Sequence, residues 1–290
     1  MIKYKRPLIV AEIGCNHKGN IDIALELIDL AHKCGANSVK FQKRNNQELL
    51  TEEQYKAPHP NPHNSYGKTY GEHREFLEFT KRQHKKLKKH CDKIGIEYST
   101  SVWDVTSAKE IISLNPASIK VPSACNNNLD MLKLLRDKYS GLVQVSFGMT
   151  THEEEEKIIH CFEETGDAKN RLIIYACTSG YPVPFKDVCL LEINRLYDKY
   201  STRVKEIGFS GHHLGIAVDI AAYTLGARWV ERHFTKDRTW RGTDHAASLE
   251  EAGLTKLVRD LHAAHEALSY KGKEILSIEK IQRDKLKYRK

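Results

Sequence analysis

The chain has 290 residues, 40% hydrophobic and 29% charged, with a formal net charge of +8. That size gives one large domain a core of its own, which excludes a stapled mini-protein and suits a single α/β barrel of ~250 residues. No run approaches the ~18 apolar residues of a membrane span, and the apolar stretch after the basic start is broken by Glu12, which makes a poor signal peptide.

Short β-branched runs alternate with amphipathic segments from one end to the other, the pattern of a parallel sheet with helices outside. Strands are predicted at 8–13, 38–42, 97–102, 118–123, 142–147, 171–177, 204–210 and 229–235. The first helix, 21–34, sets Ala24, Leu27, Ile28, Ala31 and Cys34 on one face, with Asn20 as its N-cap and Gly35 as its stop. Later helices fit 73–94, 105–114, 129–139, 152–165, 187–199, 214–225 and 249–268. Eight strand–helix units without a composition break predict a closed (β/α)8 TIM barrel over 1–268, followed by a basic tail at 269–290. An open doubly wound sheet usually carries a glycine-rich dinucleotide loop after its first strand, and EIGCNHKGN has no GxGxxG spacing. The stretch 43–72 is long for a βα connection and reads as a cover over an active site.

Seven scattered cysteines without a CxxC pair argue for reduced thiols in a cytoplasmic setting. Much of the positive charge sits in the tail, where eight lysines and arginines face three acids. Nucleic-acid binding through it ranks last, and the basic helix at 81–93 reads as a solvated face. Small anionic substrates fit the charge equally well.

Barrel chemistry collects at the C-terminal ends of the strands. Here those ends carry Glu12, Lys40 with Gln42, Thr100, Lys120 with Ser123, Ser146, Thr178, Ser210 with His212, and Glu231 with His233. Two lysines among serines suit a phosphate and a carboxylate close together, although either lysine could instead form a Schiff base. His212 and His233 end neighbouring strands and could share one divalent ion with open positions for water and substrate.

The runs AEIGCNHKGN (11–20), GANSVKFQK (35–43), KVPSACNN (120–127), SFGM (146–149), CTSGYPVPFKDV (177–188), GFSGHHLGI (208–216) and ERHFTKDRTWRGTDHAASLE (231–250) follow in order along the chain. Together they resemble the sialic acid synthase family, the phosphoenolpyruvate-dependent nonulosonate synthases. The resemblance implies a metal-dependent transferase of sialic acid biosynthesis that joins phosphoenolpyruvate to an amino-sugar aldehyde. It implies phosphoenolpyruvate held by Lys40, Thr100, Lys120, Ser123, Ser146, Ser179 and Ser210. It further implies Mn2+ on His212 and His233 (Mg2+ or another divalent ion being the alternative), Glu12 beside the metal, and Tyr181 and Asp244 on the sugar. YGKTYGEH, GFSGHH and TWRGTDHAASLE look most like the branch that uses a 6-phosphorylated N-acylmannosamine.

Two departures stand out. Cys125 occupies a position where the family places a carboxylate, so Asn126, Asn127 or Glu12 is expected to take over its work, or the acceptor differs, or activity is lost. The chain also ends without room for the family's antifreeze-like domain, leaving Arg241, Lys68 and Arg74 as candidate substitutes on the sugar and a homodimer as an open question. The competing readings are a related 3-deoxy sugar acid synthase with another acceptor, such as a pentose phosphate, an aldolase using Lys120, and a catalytically impaired binding barrel.

Overall fold

The computed structural model describes residues 2–288, so Arg289 and Lys290 of the basic tail lie outside the described residues. Eight parallel strands close into a barrel in chain order, β1 (Leu8–Glu12), β2 (Ser38–Lys43), β3 (Glu97–Val102), β4 (Ser118–Val121), β5 (Leu142–Ser146), β6 (Leu172–Cys177), β7 (Glu206–Gly211) and β8 (Trp229–His233), with β8 paired back to β1. Every predicted strand is present.

The helices are α1 (Ile21–Lys33), α2 (Asn46–Leu49), α3 (Glu52–Lys56), α4 (Tyr70–Leu77), α5 (Lys81–Ile94), α6 (Val105–Ile112) and α7 (Leu129–Lys138). They continue with α8 (His152–Glu163), α9 (Ala168–Arg171), α10 (Glu192–Tyr200), α11 (Ala217–Thr224), α12 (Glu251–Ala267) and α13 (Ser277–Leu286). Asn20 caps α1 as expected, its Oδ1 accepting from Asp22 N at 2.8 Å, and Gly35 follows with φ +88°. The single helix predicted at 73–94 is in fact two. Glu78 turns extended, and Thr80 restarts the chain with a capping box in which Gln83 N donates to Thr80 Oγ1 and Gln83 Oε1 accepts from Thr80 N. The break aims the Glu78 carboxylate at Arg44. Helix α5 buries His84, Leu87 and Cys91 and leaves most of its lysines in water. The 43–72 stretch is built of α2, α3 and a short 3-10 turn, and α13 carries no buried residue.

Strand alternation sorts side chains between two environments. Outward-facing residues such as Val39, Ile119 and Val145 pack under the helices in two large apolar clusters. Inside the barrel, Val10, Ile173, Tyr175 and Trp229 form a small apolar plug, flanked by Leu8 and Leu142. The plug fills the lower lumen. Above it, toward the C-terminal ends, the same inward rows become polar, and the site begins there.

Candidate active site

Tyr175 is the floor. Its hydroxyl donates to Gln144 Oε1 at 2.9 Å, and the Lys120 ammonium lies 4.2 Å from its ring centroid. Gly208 makes room for that ring, since a Cβ there would stand 2.6 Å from Tyr175 Cε1.

On this floor sit four buried charges. Glu231 Oε1 accepts from Lys120 Nζ at 2.7 Å and lies 3.6 Å from Lys40 Nζ, while Lys40 also pairs with Glu12. Ser210 Oγ donates to the same Glu231 oxygen at 3.2 Å, and Lys40 donates to Ser101 Oγ at 3.0 Å. Burying isolated charges would be prohibitive, and interleaving two ammonium groups with two carboxylates makes the cluster tolerable. Burial pushes Glu12 upward in pKa, against the pull of Lys40, and Glu231 adds to the rise. Glu231 itself is held down at about 2, because Lys120 and Lys40 together outweigh its burial. Lys120 is lowered by burial, and Lys40 is raised because its two carboxylate partners overcome the same burial.

A cavity of about 310 Å³ opens above this cluster. Ser123, Ser146, Ser179 and Ser210 line it with Lys40 and Lys120, and so do Glu12, His212, His233 and Tyr181. Gly148 lies between two of the hydroxyls. Its N–H donates to Ser123 Oγ at 3.0 Å, and an added Cβ would come within 2.5 Å of Ser179 Oγ. The backbone there forms a cradle that any side chain would fill.

The His212 and His233 rings have centroids 5.5 Å apart, and Tyr181 packs 4.4 Å from His212. His212 Nδ1 lies 3.0 Å from Thr178 O; it donates to that carbonyl, which leaves the Nε2 lone pair for a ligand. His233 Nδ1 is buried with no hydrogen-bond partner, and Asp244 Oδ2 stands 3.9 Å away. Burial lowers His233 to about 4, with Asp244 opposing and His212 adding to the fall. Two imidazoles and orphaned buried oxygens on Glu12 and Glu231 fit a divalent cation that keeps open coordination positions. Among the described residues no group of three or more His, Cys, Asp or Glu gathers as a ready-made metal cage.

A second cavity of about 340 Å³ continues outward, sharing Gln42, Trp103, Tyr181 and His233 with the first. Asp244 and Arg74 line it, together with Arg44, His59 and His73. A further hollow of about 180 Å³ lies elsewhere, beside the N-terminal ends of β7 and β8, where Lys5 and Arg228 are both engaged by Glu206.

Two sequence expectations need correction. Thr100 does not reach the site. Its row on β3, with Tyr98 and Val102, faces the helices, whereas Ser101 shares the inward row and meets Lys40. Lys68 and Arg241 are exposed and line neither cavity; Arg241 instead receives Tyr66 through its backbone oxygen. Cys125 points into the core, its Sγ 3.7 Å from Val102 O, and burial pushes the thiol up to about 12. Asn126 is occupied with Ser146 O and Thr150 Oγ1, and Asn127 is exposed, which leaves Glu12, a buried carboxylate lining the cavity, as the remaining candidate of the three. Sequence reasoning missed Ser101, Arg44 and the bridging place of Glu231. Counting alternation along β3 against Lys40 on β2 would have found the first.

A closed parallel barrel with paired lysines, carboxylates and imidazoles at its C-terminal mouth defines a (β/α)8-barrel enzyme. Comparison with known proteins narrows the class. A sequence profile of the NeuB family matches residues 27–273. Human N-acetylneuraminate-9-phosphate synthase is 36% identical, over 96% of this chain and 76% of the human one. N,N'-diacetyllegionaminic acid synthase of Campylobacter jejuni is 31% identical, over 91% and 78%. The crystal structure of N-acetylneuraminic acid (sialic acid) synthetase from Leptospira borgpetersenii serovar Hardjo-bovis superposes with a TM-score of 0.81 at 28% identity, covering 98% of this chain and 94% of that one. The chain belongs to the NeuB family. It is a synthase-type transferase that forms a carbon–carbon bond.

Proposed function

We propose that this enzyme condenses phosphoenolpyruvate with an N-acylmannosamine-type aldehyde to give a nonulosonic acid and inorganic phosphate. The observation that carries the reading is the lysine–serine cradle directly beside the two imidazoles in one cavity. The names of the human and Campylobacter jejuni relatives, an N-acetylneuraminate-9-phosphate synthase and an N,N'-diacetyllegionaminic acid synthase, point the same way.

In this reading Lys40, Lys120 and the hydroxyls of Ser101, Ser123, Ser146, Ser179 and Ser210 take the carboxylate and phosphate of phosphoenolpyruvate. His212 and His233 hold a divalent cation, Mn2+ first among candidates. When bound, it supplies a Lewis acid for the aldehyde oxygen. Tyr181 and Asp244 orient the sugar so that C3 of the enol attacks its carbonyl carbon. Glu12, whose pKa burial raises, delivers the proton that the new hydroxyl needs. Water then adds at C2, the C2–O bond breaks, and phosphate leaves with that oxygen, giving the 2-keto acid.

The test is phosphate release from phosphoenolpyruvate by purified protein with Mn2+ and a panel of mannosamine-type and pentose phosphate acceptors. His233→Ala is expected to abolish turnover and to weaken Mn2+ binding in calorimetric titration. Wild-type rates from metal-free His233→Ala would reject the metal assignment, and release with pentose phosphates alone would reject the acceptor.

A further inference from the structure

His212 and His233 each have a chain neighbour that turns away from the cavity. His213 follows the first and Arg232 precedes the second, and the two neighbours meet. Arg232 Nη1 lies 3.0 Å from His213 Nε2 and donates to Gly215 O at 2.7 Å, while Nη2 donates to His213 O at 2.5 Å. The same Nη1 donates at 2.5 Å to Asp219 Oδ2, which itself stands 3.3 Å from His213 Nε2. Asp219 belongs to the first turn of α11. All three side chains are at most 1% exposed, and none of them lines either cavity of the candidate site. Gly211 leaves room for this contact, because a Cβ there would stand 2.9 Å from His213 Cε1 and 2.8 Å from Phe209 Cε1.

A buried ion pair is a weak source of stability, since apolar side chains of similar volume do as well or better. What a guanidinium adds is a rigid fork of donors. Here the fork grips two carbonyls of the turn after β7, so the turn that carries His212 is fastened to the strand that carries His233. His212 O in turn accepts from Val183 N at 3.0 Å, which ties in the turn that bears Tyr181. We propose that Arg232 and Asp219 are positioning residues: from outside the cavity they set the separation of the His212 and His233 rings, 5.5 Å between centroids, and hold the two imidazoles ready for one divalent cation. The inference rests on the metal assignment made under the proposed function.

Two variants test it. Arg232→Lys keeps the charge and loses the fork. Arg232→Met/Asp219→Leu replaces the pair by apolar side chains and leaves no charge unpaired, which keeps the fold intact. Each is titrated calorimetrically with Mn2+ and, separately, with phosphoenolpyruvate, below the melting transition found by scanning calorimetry. Mn2+ affinity is expected to fall by about 10- to 100-fold, the usual effect of removing a group that orients a metal ligand, with the smaller loss in Arg232→Lys. Affinity for phosphoenolpyruvate, held by the lysine–serine cradle, should stay unchanged. Wild-type Mn2+ affinity in both variants overturns the proposal, and so does an equal loss for both ligands, which would mark a general structural role. If wild type itself takes up no Mn2+, the metal assignment fails, and a crystal structure of the double variant decides the clamp alone. Rings that keep their 5.5 Å spacing there overturn it, and rings that part or rotate support it.

Discussion

Replacing Glu231 by Gln removes the carboxylate that bridges the two lysines while keeping its shape and the hydrogen bond from Ser210. Breaking a buried pair in this way costs about 3–5 kcal/mol, because a buried charge is left uncompensated. Unfolding entropy for a chain of this length is about 0.6 kcal/mol per kelvin, so the melting temperature should fall by about 5–8 °C. Lys120 can shed its proton, and burial already lowers its pKa, so the fall belongs toward the small end of that range. Added phosphoenolpyruvate should restore more stability to Glu231→Gln than to wild type, since its phosphate and carboxylate supply the missing negative charge. Scanning calorimetry with and without the ligand checks both effects. A variant that melts within about 2 °C of wild type and gains no more from the ligand would refute the claim that Glu231 neutralises the lysine pair.

Ser101→Ala should raise the KM for phosphoenolpyruvate about tenfold, by releasing Lys40, whereas Thr100→Val, on the opposite face of β3, should leave it unchanged in steady-state kinetics. The reverse pattern would mean that β3 is set in the wrong register. Cys125→Ser should turn over like wild type, because the thiol's hydrogen-bond partners are backbone carbonyls that a hydroxyl can also meet; complete inactivation would contradict this placement. Acid stability offers a separate check. His84 is buried against the Tyr98 hydroxyl at 2.7 Å, and burial lowers its pKa to about 3 from an ordinary 6.5. The unfolded chain therefore takes up this proton first as pH falls, and stability drops through the window between those two values. Between pH 7.5 and 5.5 that amounts to about 1.4 kcal/mol. Urea titrations at both pH values should show a fall smaller by this amount in His84→Gln, and equal falls would exclude it.

Much of the molecule is determined within single segments of its sequence. The eight β-branched runs, the apolar face of α1 with its Asn20 cap and Gly35 stop, and the reactive groups ending most strands all follow from periodicity and local hydrogen bonding, which neighbours along the chain settle among themselves. Tertiary structure decided the rest. Glu231 reaches Lys120 and Lys40 only because β8 closes against β1 and its inward row crosses the lumen, so no local pattern could name those partners. Likewise, Ser101 and Thr100 are adjacent and chemically alike, and only the pleat of β3 within the closed barrel sends one to the cavity and the other beneath the helices. Arg44 meets the Glu78 carboxylate only because α4 ends at Leu77 and turns the next residue toward it. In each case a long-range contact fixed what residue type had left open, because charge pairing in a dry interior depends on distances across the fold.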